Sequence, residues 1–220
     1  MALRNLDNVA GLSDEVAGSL APLRQVDEGV LAGGSNPISK WYIERSPIGN
    51  MVNQELEMSC VPAVCRQMLR DLFAEVGLSV DVDEALLREG MGTSVRGTQF
   101  TDPKVVETLQ QMIDGTWLEN SIRFESGYMP IEDGIPFEMQ HLESMLSDTD
   151  SMIVQLADLG DRHAVIIDDI DITRGNVIVR DPGGIQGAGV SGIGNIGVLE
   201  WDIFIKLWEQ GQYAVLISTH

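Results

Sequence analysis

Cys60 stands where a polar turn at Ser59 passes into an apolar periodicity: Ala63, Val64, Met68, Leu69, Leu72, Phe73 and Val76. That spacing predicts a buried helix ending at Gly77. A thiol at a helix start meets unpaired backbone N–H groups and the positive end of the dipole, and both favour the nucleophilic thiolate. Thiol hydrolysis also needs a base to return the proton, a group to orient that base, and donors for the oxyanion. The chain has three histidines. His220 is the last residue, where fraying is expected, and His141 lies in a polar helix start, which leaves His163, directly before the apolar run Ala164-Val165-Ile166-Ile167. A second run, Asn176-Val177-Ile178-Val179, follows a turn at Arg174-Gly175, and antiparallel pairing of the two returns Asp181 to the side of His163. A carboxylate there would fix the imidazole tautomer and stabilise its protonated form.

The elements that position these groups read as helices first and strands second. Asp83 to Glu89 predicts a short helix, and Thr101-Asp102-Pro103 caps a third that runs to Gly115. Trp117 to Phe124 reads as a strand, Phe137 to Leu146 as a helix, and Ser151 to Leu156 and Tyr213 to Ile217 as buried strands. The expected class is α+β, an N-terminal helical half packed on a C-terminal antiparallel β-sheet with a cleft between them. Seven glycines between Pro182 and Val198 come without the Lys, Arg or strand-to-helix context of a phosphate loop; they predict a mobile loop, a plain connection or a lid beside the cleft. Residues 1–40 read as an N-terminal extension or linker and 41–220 as the domain. In the extension Ser13-Asp14-Glu15-Val16 caps a short helix, and Gly29, Gly33, Gly34, Asn36 and Pro37 mark a connection.

Composition narrows the function. With 34 acidic against 14 basic residues the net charge is −20, which repels nucleic-acid backbones and anionic membranes and favours cationic or neutral peptides as partners. Two cysteines five apart on one helix make neither a disulfide framework nor a well-formed bridge. No run approaches the ~18 apolar residues of a membrane span, and no basic region precedes an apolar core at the N-terminus. No cofactor and no metal are expected: the spacing of Cys60, Cys65 and His163 suits no common zinc motif, and Asp168-Asp169-Ile170-Asp171 lacks the glycine and closing glutamate of a calcium loop. Cys65 reads as a small buried hydrophobe. Oligomeric state is not legible.

The pattern of Gln54, Cys60 six residues later, a helix, then His163-Ala164-Val165-Ile166-Ile167 and Val177-Ile178-Val179-Arg180-Asp181-Pro182 resembles the papain-like, bacteriocin-processing (double-glycine) peptidase domains of ABC exporters and their stand-alone relatives. The likeness runs from Trp41 to Thr219 and includes the closing segment Val198 to Trp208; Gly97-Thr98 before the third helix is similar to the stand-alone branch. It implies a papain-like fold and a cysteine peptidase, with Cys60 as nucleophile, His163 as base and acid, Asp181 as orienting residue, and Gln54 with the Cys60 N–H as oxyanion donors. The substrate would be a peptide or unfolded protein segment. Position 61 departs from the family, holding Val where glycine is usual, which bears on substrate class. Leu31-Ala32-Gly33-Gly34 is similar to exported double-glycine leaders, although Glu28 falls where those carry an apolar residue. The expected location is cytoplasmic, or exported by a non-classical route if this segment is a leader and not a linker. A catalytically silent peptide-binding module of the same fold and a Cys-dependent deamidase or transamidase are the alternatives.

Overall fold

The computed structural model describes residues 38–129, 137–183 and 193–220. The expected Ser13 helix, the Gly33-Gly34 pair and the middle of the glycine-rich stretch lie outside the described residues.

The described residues form five α-helices, two of them capped by the aspartates that the sequence marks. Helix α1 (Cys60–Glu75) buries Val61, Val64, Met68, Leu69, Leu72 and Phe73. It ends in a Schellman closure: Gly77 takes φ +77°, its N–H donates to Ala74 O at 3.0 Å, and the Leu78 N–H donates to Phe73 O at 2.9 Å. Helix α2 (Glu84–Gly90) is capped by the Asp83 carboxylate, which accepts from the Ala85 N–H. Helix α3 (Pro103–Ile113) is capped by Asp102 with Pro103 in its first turn. Helices α4 (Met139–Asp148) and α5 (Trp201–Gln210) follow in the second half.

The strands β1 (Glu44–Val52), β2 (Arg123–Tyr128), β3 (Ser151–Asp158), β4 (Asp161–Asp171), β5 (Asn176–Asp181), β6 (Ile193–Glu200) and β7 (Ala214–Thr219) make one antiparallel sheet ordered β1-β6-β5-β4-β3-β7-β2. Because β1 and β2 are opposite edges, the α1–α3 segment joining them crosses one whole face. Alternation along the strands splits the apolar side chains accordingly. Ile153, Ala164, Ile166 and Leu216 pack with α1–α3, whereas Val154, Val165, Ile167, Val177 and Val215 pack with α4 and α5. Each fully buried Leu, Ile or Val contributes on the order of 1.5–3 kcal/mol by leaving water. Ile38, fully buried, joins the second of these cores, so packing extends to the start of the described chain.

The α+β class holds, but the arrangement is three-layered: among the described residues β1 precedes the five α-helices, and α4 and α5 cover the face away from α1. The strand expected over Trp117 to Phe124 begins instead at Arg123. Residues 116–122 close turns through Glu119 N–H to Thr116 O and Ile122 N–H to Leu118 O, which leaves Trp117 exposed. The glycine-rich stretch is corrected in part, since Ile193–Glu200 is strand β6, paired on both sides.

Two of its glycines are there because neighbours come too close for a side chain. A Cβ on Gly194 would sit 2.7 Å from Asp181 O, and one on Gly197 would sit 2.5 Å from the Tyr42 ring. Gly197→Ala is therefore expected to lower stability by about 1–3 kcal/mol as the Tyr42 ring is displaced. Gly49→Ala, where a Cβ meets nothing within 4 Å, should stay within about 0.5 kcal/mol of the parent. Urea unfolding of both variants checks this; indistinguishable midpoints would show that the ring is not held by Gly197.

Candidate active site

Cys60 is the first residue of α1 and is fully buried. No side chain caps this helix: the Ser59 hydroxyl donates to Leu56 O at 2.9 Å and accepts from the Leu56 N–H at 3.0 Å, closing the preceding loop on itself. Pro62 has no N–H, so the donors of the first turn are those of Cys60 and Val61, neither of which has a partner among the described residues. The Val61 side chain is buried in the α1 core beside Val64 and Cys65 and does not project into solvent.

The loop of residues 53–59 is tied to both halves of the fold. The Gln54 N–H donates to Pro182 O at 2.9 Å, joining the approach to Cys60 directly to the segment that follows Asp181. The Glu55 N–H donates to the buried Glu84 carboxylate at 3.2 Å, and Arg88 bridges Glu84 and Glu55, each at 2.9 Å. Burial pushes the Glu84 carboxyl up, against the pull of its donors. Two turns into α1, Gln67 accepts the Val52 N–H at 3.0 Å, fixing the helix on the edge strand.

His163 and Asp181 meet as hairpin pairing predicts. The His163 Nε2 lies 2.7 Å from Asp181 Oδ1, and both side chains are fully buried. Asp181 also accepts the Gly183 N–H at 2.7 Å and the Tyr42 hydroxyl on Oδ2. Burial alone would lower the histidine's pKa, but the Asp181 charge and hydrogen bond, with a further contribution from Cys60, raise it to about 10. For Asp181 burial acts upward, and the histidine and its other donors outweigh it, holding the carboxyl below its usual range. Burial first, and the carboxylate second, push the Tyr42 phenol well up, so it stays a donor. The other ring nitrogen, His163 Nδ1, is buried without a hydrogen-bond partner. With Nε2 held by the carboxylate and Cys60 acting on the ring, Nδ1 is the atom left to exchange a proton with the thiol.

Gln54 is near the site but differently engaged. Its Nε2 donates to Leu56 O at 2.9 Å and Glu57 O at 2.8 Å, and its Oε1 is buried without a partner. Both amide hydrogens are thus taken by loop carbonyls, and an oxyanion could use Nε2 only by displacing one of them. The remaining candidates lie apart. Burial, and the nearby Cys60, push the Cys65 thiol up, as befits an inert core residue. His141 packs edge-on against Phe137, and His220 bonds Asp150 at 2.7 Å. Among the described residues, the cluster with metal-ligand spacing is Glu75, Asp150 and His220, all exposed; it does not involve Cys60, Cys65 or His163. Asp168 and Asp171 are taken by Arg180 and Arg174.

No protein-family model matches the chain, and no curated protein matches it in sequence. Sequence reasoning missed Tyr42 and Glu84. Tyr42 is 139 positions from its carboxylate partner, so no local pattern connects them. Glu84 reads locally as an ordinary acidic first turn, and only folding brings it under the Glu55 amide.

Proposed function

We propose that the chain is a papain-like cysteine peptidase, with the fold and reaction that its resemblance to stand-alone relatives of bacteriocin-processing domains implies. The observation that carries the reading is the buried His163–Asp181 pair at 2.7 Å with Nδ1 free and Cys60 close enough to raise the histidine's proton affinity. In the reaction the Cys60 sulfur attacks the scissile carbonyl while the proton resides on His163. Charge on the carbonyl oxygen is met by the Cys60 N–H and by Gln54 once one loop carbonyl is released. His163 then protonates the leaving amine, and water cleaves the thioester with His163 as base. Asp181, held by Tyr42 and the Gly183 N–H, keeps the imidazole oriented throughout.

One observation favours the silent peptide-binding module instead: Cys60, His163 and Asp181 have no exposed surface, and Gln54 is already engaged. A working peptidase must therefore open to admit its substrate. Alkylation separates the readings. Low iodoacetamide should modify Cys60 at least about tenfold faster than Cys65 and stop digestion of a peptide library, and Cys60→Ala should be inert on that library. Equal, unfolding-limited alkylation of both cysteines, with identical library products from parent and Cys60→Ala, would defeat the peptidase reading. The proposed setting is a protein that meets peptides; among the described residues no helix is long and apolar enough to cross a membrane.

A further inference from the structure

Glu75 closes α1, about 22 Å along the helix from Cys60 at a rise of 1.5 Å per residue. There it meets Asp150, which immediately precedes β3, and His220, which immediately follows β7. One ligand atom from each, a carboxylate oxygen or an imidazole nitrogen, lies within 4.8 Å of the other two. His220 Nδ1 and Asp150 Oδ1 are 2.7 Å apart, and these side chains keep 37% and 20% of their surface, so both lie against the protein and are not free in solvent.

The backbone under each of the three is fixed. The Schellman closure at Gly77 and Leu78 sets the last turn of α1. The Asp150 N–H donates to Ser218 O at 2.9 Å, which ties it to β7 two residues before His220. Strand β7 is itself paired on both sides, with β3 up to Ser218 and with β2 up to Thr219. The side chains therefore converge from rigid elements, as a preformed metal site requires. Like charges are also pressed together here: burial first, and the Asp150 charge second, push the Glu75 carboxyl up, and His220 relieves this only in part. The C-terminal end of the α1 dipole adds negative potential at the same place.

We infer that Glu75, Asp150 and His220 form a zinc site, with water in the fourth position, that ties the end of the Cys60 helix to strands β3 and β7. One imidazole nitrogen with two carboxylate oxygens suits Zn²⁺ better than Mg²⁺ or Ca²⁺, which take oxygen ligands. Bonds of about 2.1 Å in tetrahedral geometry put ligand atoms about 3.4 Å apart, so side-chain rotation is enough to gather three atoms already within 4.8 Å. Binding releases the proton that His220 and Asp150 share. The site has no residue in common with Cys60, His163, Asp181 and Gln54, so it stands apart from the peptidase reading. Spacing in the sequence does not signal it, because its ligands come from distant elements.

The test is calorimetric titration of the metal-stripped full chain with zinc chloride, and with magnesium and calcium chloride at matched ionic strength, alongside thermal unfolding. The chain should bind one Zn²⁺, at least about tenfold more tightly than Mg²⁺ or Ca²⁺, and its melting temperature should rise with zinc concentration. Glu75→Gln, Asp150→Asn and His220→Ala should each weaken zinc binding by at least about tenfold. Their unfolding without metal verifies that they are folded. Cys60→Ala and Cys65→Ala should bind zinc as the parent does. No zinc binding would show that the three groups form an ion pair and nothing more. Equal binding of all three metals would reduce the effect to diffuse attraction by a chain of net charge −20. Zinc binding that survives the three substitutions in folded protein, or is lost in either cysteine variant, would place the metal elsewhere; each of these results overturns the site.

Discussion

Replacing His163 with glutamine is expected to lower kcat/KM on any peptide the protein cleaves by at least about 10³-fold. Glutamine can still donate to Asp181 Oδ1, so the buried carboxylate keeps a partner, but it can neither take a proton from the Cys60 thiol nor deliver one to the leaving amine. The residual rate would be what oxyanion donors and binding supply without a base. His163→Ala should lose as much activity and in addition fold less stably, because it leaves a fully buried carboxylate short of its charged partner, a change that typically costs about 3–5 kcal/mol. The contrast separates chemistry from folding. Steady-state kinetics and urea unfolding of the two variants provide the check, and activity within about tenfold of the parent in His163→Gln would rule His163 out as the base.

The second large effect is on stability against pH, with Asp181→Asn as its probe. His163 has its folded pKa raised to about 10, above an unfolded value near 6.5. Folding therefore tightens its hold on a proton. That contribution is complete below about pH 6.5 and is lost as pH climbs from there through 10. Asp181 is shifted the other way, so its contribution is present above the ~3.9 of an unfolded aspartate and is lost as pH falls through its lower folded value. The pair thus stabilises most between roughly pH 4 and 6.5. In Asp181→Asn the charge that holds the imidazolium is gone, burial outweighs the smaller contribution of Cys60, and the histidine's pKa should fall well below that of the parent. The parent's decline in unfolding free energy between pH 6.5 and 10 should then exceed the variant's, while the variant is less stable throughout the acid side of that range. Parallel pH curves would show that the two groups are not coupled in solution.

Much of this site is legible in the sequence because its parts are local. A thiol at a helix start needs only the apolar spacing after Cys60 and the closure at Gly77, and both belong to one helix. The pairing of His163 with Asp181 needs only one hairpin, whose turn at Arg174-Gly175 brings the strand ends together, although a bulge between Ile167 and Asp169 shifts the final register by one residue. Strand β6 was hidden for the opposite reason. Its glycines weaken any local strand signal, and they are required only because Tyr42, Met51 and the Asp181 backbone arrive from elsewhere in the chain.

What the sequence determines by itself is therefore helices α1 to α4, the β4–β5 hairpin, and the three residue types that could share one proton. Tertiary structure alone decided that the sheet is covered on both faces and that Cys60, His163 and Asp181 are all fully buried. It also decided that Tyr42 donates to the Asp181 carboxylate and that Gln54 is held by its own loop. Each of these depends on groups far apart in the chain meeting in a region of low polarity. Composition and spacing encode local periodicity, but they do not specify which distant donor reaches which buried acceptor.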